Sequence, residues 1–362
     1  MMKKIKFELI VFAFCSLFIS CNTSKKGDIV KITRDSFKTS FVLTNPKEII
    51  IDSLLYPDCF NIMYDSIIVV QNNYKCEYLL ELYSLNSLQS LGKFVKKGNG
   101  PGEMSSCRVS IHSSTNPVFT LEDRNKNFLY QVNLDSMIHK QKLYVEKKIH
   151  LINPNFNPYF NVISLDGKNY LGNNMWYMND KEYTNSNKPF IYNSSAEAPN
   201  YNKLTFVGAV NGSILIPLKK EKRIIAADSH TDNIKILNDT LGLIKKISGP
   251  DFFTPTYVVA KNDYPGKFID FGDHKSYKTY IGYTLTDKFV YLIYNGTDSY
   301  DPSKLTPVEV FKFDFEGNPI SRYKLDRYLY SISIDTKNGY LYGTSKISYE
   351  ESRVLIRYKL PD

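Results

Sequence analysis

Tryptophan, histidine and cysteine are sparse in this chain. Trp176 is its only tryptophan, beside five histidines and five cysteines in 362 residues. His112, His139, His150, His230 and His274 are scattered, with no pair at metal-ligand spacing, and no Cys-x-x-Cys occurs. A structural zinc site is therefore not expected, and no other cofactor or metal is implied. No G-x-S-x-G turn occurs either, which removes the nucleophile elbow of an α/β-hydrolase peptidase. Asp228-Ser229-His230 and Gly272-Asp273-His274 set acids beside histidines, yet neither has a nucleophile and an orienting partner at recognisable spacing. Amphipathic runs of helix formers are scarce.

What the chain has in quantity is tyrosine and phenylalanine, 28 and 22 residues, which favour a pleated, half-buried β surface. All-β assemblies pass two hundred residues as one domain, so a single large domain is allowed. The net charge is +9, and +7 once residues 1–20, which hold Lys3, Lys4, Lys6 and Glu8, are set aside. The excess is dispersed. Lys219, Lys220, Lys222 and Arg223 are its densest cluster, and Lys96-Lys97 and Lys147-Lys148 are pairs at strand ends. Solvated loops explain this pattern better than a nucleic-acid surface, which needs basic residues gathered on one face among aromatics.

Residues 1–20 have a basic start, an apolar core from Leu9 to Ile19, and small Ser20 before Cys21, the layout of a secretory signal. Leu17-Phe18-Ile19-Ser20-Cys21 resembles the lipobox of bacterial lipoproteins, which implies cleavage before Cys21 and its acylation. Several acyl chains anchor stably where one is marginal, so the mature chain is expected outside the cytoplasm on a membrane. Cell-surface lipoproteins of this kind often carry an acidic run after that cysteine. Asn22-Thr23-Ser24-Lys25-Lys26 has none, which favours the periplasmic face of the outer membrane. Cys15 leaves with the signal and Cys21 carries lipid. The remaining Cys59, Cys76 and Cys107 permit at most one disulfide, and Cys59 with Cys76 is the pairing to test.

Self-similarity organises the rest. A strand, a short turn with Asp, Asn or Gly, and a second strand rich in β-branched and aromatic residues recur six times. These inner hairpins start at residues 62, 109, 162, 206, 281 and 332, a spacing typical of propeller blades apart from one long gap. Their turns are Tyr64-Asp65-Ser66, Ser114 to Asn116, Asp166-Gly167-Lys168, Val210-Asn211-Gly212, Thr286-Asp287-Lys288 and Lys337-Asn338-Gly339. A second hairpin follows each, for example Phe128 to Leu134 returning through Lys142 to Val145. The third unit is blurred. The last unit lacks one strand, while Glu48 to Asp52, with Ser40 to Leu43 as a possible addition, stands unassigned upstream. The expected fold is all-β: a six-bladed β-propeller of four-stranded antiparallel blades, closed by an N-terminal strand pairing into the last blade. A two-sheet sandwich or two smaller β domains is the alternative. The expected plan is a signal peptide at 1–20, a lipidated flexible tether at 21–38, and one monomeric propeller at 39–362.

Residues 92–104, G-K-F-V-K-K-G-N-G-P-G-E-M, join the first unit to the second. Gly98, Gly100, Pro101 and Gly102 cannot form helix or regular strand, so a tight turn is expected, with Glu103 capping its N–H groups. No helix follows, so phosphate-binding logic is lacking. The lipobox, the six hairpin pairs and this segment, close to a pattern G-x-x-G-x-G-P-G-E-F, resemble the six-bladed TolB-like propeller lipoproteins of Bacteroides and relatives. Val95 stands at the pattern's first glycine and Met104 at its Phe. The resemblance spans Cys21 to Asp362 and implies architecture and envelope location more than activity.

The long gap, residues 248–280, is the leading functional candidate. It carries Phe252, Phe253, Tyr257 and Tyr264 among prolines, and such an insertion is placed to cover one mouth of the channel. Trp176 and Tyr177, in an Asn-rich run, form a second candidate rim. Aromatic platforms with amides suit a sugar or a peptide, while packing between blades is the plainer role for the same rings. Asp298 and Asp301 match a calcium loop only loosely and read as a solvated turn. The favoured function is a membrane-tethered, non-catalytic binding or scaffolding propeller for a protein, peptide or glycan. The competing one is a metal-dependent propeller hydrolase, lactonase or lyase, which requires Asp, Glu, Asn or His from several first strands converging on the axis.

Overall fold

The structure is a computed structural model that describes residues 28–51, 57–72, 76–111, 116–123, 125–126, 128–150, 159–164, 169–174, 189–193, 200–201, 213–255, 258–261, 267–270, 277–298, 305–345 and 354–361. Among these, six sheets of four or five strands follow one another along the chain as six blades. Blade 1 comprises Pro57–Met63, Ile67–Asn72, Tyr78–Ser84 and Ser90–Lys96, and blade 2 Arg108–Ser110, Val118–Asp123, Phe128–Asn133 and Val145–His150. Blade 3 comprises Tyr159–Ser164, Asn169–Asn174, Pro189–Asn193 and Asn200–Tyr201, and blade 4 Ser213–Leu218, Arg223–Asp228, Asn233–Asn238 and Leu243–Ser248. Blade 5 holds Tyr277–Leu285, Phe289–Asp298, Glu309–Asp314 and Pro319–Leu325. Blade 6 holds Ser331–Asp335, Tyr340–Thr344 and Val354–Lys359. A two-stranded sheet, Val258–Lys261 with Lys267–Asp270, is inserted between blades 4 and 5.

Antiparallel order within each blade defines two faces. The hairpin face carries the turns joining first to second and third to fourth strands. The loop face carries the second-to-third turns and the blade-to-blade connections. Tyr64 and Asp65 both take left-handed φ, 54° and 48°, at the centre of the three-residue connection that Ser66 N closes on the Met63 carbonyl. Apolar clusters fill the spaces between neighbouring blades. Val69, Leu80 and Phe94 of blade 1 pack with Phe119, Leu121 and Val132 of blade 2, and Leu171 of blade 3 packs with Leu215 and Leu237 of blade 4. Ile225 and Ile236 of blade 4 meet Leu292 and Phe311 of blade 5, and Phe60 and Tyr83 of blade 1 meet Tyr342 and Leu355 of blade 6.

Lys47–Ile50 pairs antiparallel with Val354–Lys359, Ile50 opposite Val354, and so supplies the fourth strand of blade 6. Polar ties join that blade to the first: Ile62 N donates to Ser333 Oγ at 2.9 Å, and Thr336 N to Asp65 Oδ1 at 3.1 Å. The expected tether, residues 21–38, differs from Asp28 onward. Asp28–Lys31 pairs in parallel with Leu243–Ser248 on the outer edge of blade 4, and Thr39–Leu43 pairs in parallel with Pro319–Leu325 on blade 5. Ser40 to Leu43 thus joins blade 5 and not the last blade. Residues 28–50 form a strap across the edges of blades 4, 5 and 6. Phe37 wedges it in place, with its ring centroid 4.8 Å from Phe311 and 5.5 Å from Phe313.

Two further expectations are corrected, and the one disulfide pairing to test is answered. The inner hairpin of blade 4 turns at residues 219–222, where Lys222 takes φ 51°, and not at Asn211-Gly212, because Ser213–Leu218 and Arg223–Asp228 are the two apolar runs that pair. The second hairpin of blade 2 contains a helix, Leu134–Lys140. Asn133 caps it by accepting Ser136 N, Asp135 favours its positive N-terminal end, and Leu134 and Met137 bury one face. Cys59 and Cys76 are not bridged to each other.

Candidate functional site

The first strands face the axis, and their alternation separates two roles. Cys59 and Asn61 of blade 1, Arg108 and Ser110 of blade 2, and Ser331 and Ser333 of blade 6 line a cavity of about 330 Å³, joined by Ile214 of blade 4 and Tyr283 of blade 5. Intervening residues such as Phe60 and Ile332 are buried between the blades, while Ile62 and Val109 add apolar surface to the wall. Much of the polar lining is spent on holding neighbours together. Ser333 Oγ accepts Ile62 N, and Gln71 Oε1 accepts Val109 N at 2.7 Å. Burial pushes the Tyr283 phenol up, while the nearby Arg108 guanidinium pulls it down. Among the described residues of this wall, Arg108 is the only charged side chain and none is a carboxylate. Nor does any group of three or more His, Cys, Asp and Glu stand close enough to hold a metal ion among the described residues.

A second polar assembly lies on the loop face between blades 4 and 5. The buried Asp232 carboxylate accepts both Asp251 N at 2.7 Å and Phe252 N at 2.5 Å. Burial pushes Asp232 up, against those backbone bonds. Asp251 in turn takes a forked pair from Arg34 of the strap, at 2.5 and 3.1 Å, and the Tyr294 hydroxyl at 2.7 Å. Burial pushes Asp251 up as well, but the bonds from Arg34 and Tyr294 outweigh it and hold the carboxyl below its ordinary range. Arg34 Nε also reaches Glu309 at 2.9 Å. The strap, the start of the insertion and blade 5 are thus bolted together. Phe252 is held there at φ 57° and remains 44% exposed. Phe253 instead lies flat on Tyr277, with centroids 3.8 Å apart and planes 9° from parallel.

The other sequence candidates fall as follows. Glu103 Oε2 accepts Gly100 N at 2.9 Å, and Lys126 Nζ reaches the Gly100 and Glu103 carbonyls at 3.3 and 2.7 Å. A Cβ on Gly98 would lie 2.1 Å from that carboxylate oxygen, and Gly102 has φ 78°, so the glycines make room for the cap. With Pro101 they form a structural turn. Trp176, Tyr177, Tyr257, Tyr264 and Cys21 lie outside the described residues. The structure brings Phe252 and Phe253 together at the loop face and keeps both apart from the glycine turn. Arg34, Asp232 and Arg108 were not singled out in the sequence. For Arg108 a signal existed, the alternation Arg108-Val109-Ser110-Ile111, in which polar residues point to the axis.

A family model described as TolB-like 6-blade propeller-like matches residues 36–337. Among solved structures, the chain is similar to a member of the DUF4221 family from Bacteroides vulgatus ATCC 8482, at 10% identity and TM-score 0.57, over 88% of this chain and 96% of that one. It is also similar to a candidate exported protein of Bacteroides fragilis NCTC 9343, at 14% identity and TM-score 0.52, over 92% and 99%. At these identities the likeness concerns the fold. No curated protein matches the chain.

Proposed function

The chain belongs to the TolB-like six-bladed propeller family, and from that premise we propose that it is a lipid-anchored, non-catalytic binding or scaffolding propeller of the cell envelope. The signal-like residues 1–20 and the lipobox-like Leu17 to Cys21 support the anchor, and the likeness to a candidate exported protein agrees with export. The observation that carries the binding role is Phe252. A large aromatic in the left-handed region is strained, persists only when its surroundings over-determine it, and here sits exposed on a backbone pinned by Asp232. Rigid, exposed aromatics are what interfaces use as anchors. The partner is a protein, peptide or glycan laid over the loop face. The axial wall supports binding over metal chemistry, because its described residues offer one guanidinium and neutral polar groups in place of converging carboxylates.

The test is crosslinking on intact cells followed by affinity recovery of the tagged chain, with Cys21→Ser as control. One stoichiometric envelope partner, recovered with the wild type, supports the reading. A purified chain that recovers no partner but carries one tightly bound divalent ion overturns it and moves attention to the axis.

A further inference from the structure

Residues 22–27 are all that separate Cys21 from Asp28, which is fixed opposite Lys245 in the last strand of blade 4. Six residues reach at most roughly 20 Å. An acylated Cys21 therefore keeps one corner of the molecule at the bilayer, and Asp28–Lys31 marks which corner. It runs parallel to Leu243–Ser248, so it enters from the hairpin face of blade 4.

That corner has the composition a membrane surface selects. Ile29 and Ile244 are 67% and 42% exposed. Parallel register sets Ile29 opposite Lys246, and Ile244 is the extra residue where the pairing of the same strand slips between Leu243 and Lys245, so both exposed isoleucines belong to the outer edge of blade 4. Further in along the hairpin face of the same blade, the turn at residues 219–222 exposes Lys219, Lys220 and Lys222, followed by Arg223. Against these cations, with Lys245 and Lys246, stand Glu221, Asp239, Asp314 and Glu316, and Asp287 lines one pocket with Lys219 and Lys220. Glu316 is already engaged by Arg223 at 2.8 Å. The excess is positive.

We propose that the hairpin-face corner of blade 4 docks on an anionic bilayer, lipid headgroups meeting the 219–222 turn while Ile29 and Ile244 enter the interface. The loop face, with Phe252, then points away from the membrane, toward its partner. This orientation rests on the acylation of Cys21 proposed above, which sets the short reach. The charge and apolar contacts act without the lipid and are tested without it.

The chain from residue 21, which contains every described strand, is prepared with Cys21→Ser and sedimented with vesicles of phosphatidylglycerol and phosphatidylethanolamine, or of phosphatidylcholine alone. Binding is expected to the anionic vesicles only and to weaken as salt rises. Each lysine near an anionic surface is worth about fivefold in partition. Joint Lys219→Glu, Lys220→Glu and Lys222→Glu substitution, all at exposed positions, is expected to lower binding at least tenfold. Ile29→Ser lowers it less. Lys337→Glu, at an exposed position on the same face of blade 6, leaves it near wild type. Absent binding, a triple variant that binds as wild type, or an equal loss in the control overturns the docking surface. The intact mass of the full chain extracted from membranes reads acylation separately: an unacylated mass overturns the anchor, whatever the vesicles show.

Discussion

Phe37→Ala removes the wedge that holds the strap between blades 4 and 5. Phe37 is 6% exposed, and its ring packs on Phe311 and Phe313 within a cluster that also takes Ile32 and Ile247. Truncating a buried Phe to Ala costs about 3–5 kcal/mol, combining lost transfer energy with the cavity left behind. The strap lies at the perimeter, where the chain can settle into the gap, so the low end applies. About 3 kcal/mol corresponds to about 150-fold in the unfolding constant. Two assays separate global from local loss. If the strap belongs to the cooperative unit, the urea midpoint falls with an unchanged slope. If it opens alone, trypsin cuts at Lys31, Arg34 or Lys38 under native conditions while the midpoint holds. Arg34→Ala, which removes the fork to Asp251, should release the same element, so the double variant costs less than the sum of the two. A Phe37→Ala chain with wild-type midpoint and wild-type tryptic pattern refutes the strap's role.

Lys235→Met leaves the fully buried Asp228 carboxylate without the ammonium that now contacts both its oxygens at 2.6 and 2.7 Å, and should cost about 3–5 kcal/mol in urea unfolding. Gly249 has φ 119°, and a Cβ there would stand 2.1 Å from the Ile32 carbonyl oxygen, so Gly249→Ala should lose about 1–3 kcal/mol from strain alone and raise tryptic cleavage of the strap. Burial holds His230 below its ordinary 6.5, so the unfolded chain binds the extra proton and stability falls as pH drops below 6.5. His230→Gln should flatten that part of the stability curve. Asp251, held below its ordinary 3.8, contributes stability above that value that is lost as pH falls further, and Asp251→Asn should remove this acid limb.

The repeated unit was legible because each inner hairpin pairs two apolar runs across a short turn, and the missing strand of the last unit pointed to the stretch around Glu48. The fourth hairpin was misframed for a local reason. Asn211-Gly212 is the strongest turn signal in its neighbourhood, whereas the actual turn uses lysines, with Lys222 in an unfavoured φ that no residue-type rule flags. The helix Leu134–Lys140 is too short for periodicity to announce, and its Asn133 cap also suits a turn. Asp28–Lys31 is a four-residue strand whose partner lies more than two hundred positions away, so nothing near it in sequence encodes the pairing. The candidate site was half visible. Its aromatics stood out by composition, but what makes Phe252 distinctive is a carboxylate twenty residues upstream gripping its backbone, and such a contact has no sequence pattern. The polar ends of second strands, Asn72, Asp123, Asp228 and Thr344, are a buried repeat that alignment of the six units brings out.

The central claim, that the loop face binds a partner through a rigid Phe252, is tested most directly by comparing crosslinked partner yield from cells carrying wild type, Phe252→Ala and, as an exposed control on the hairpin face of blade 6, Lys337→Ser. An aromatic anchor at the centre of an interface is worth about 2 kcal/mol or more, roughly 30-fold in affinity. The account predicts that Phe252→Ala loses the partner at least tenfold while Lys337→Ser and the urea midpoints of both stay at wild type. Equal yield from Phe252→Ala and wild type contradicts it.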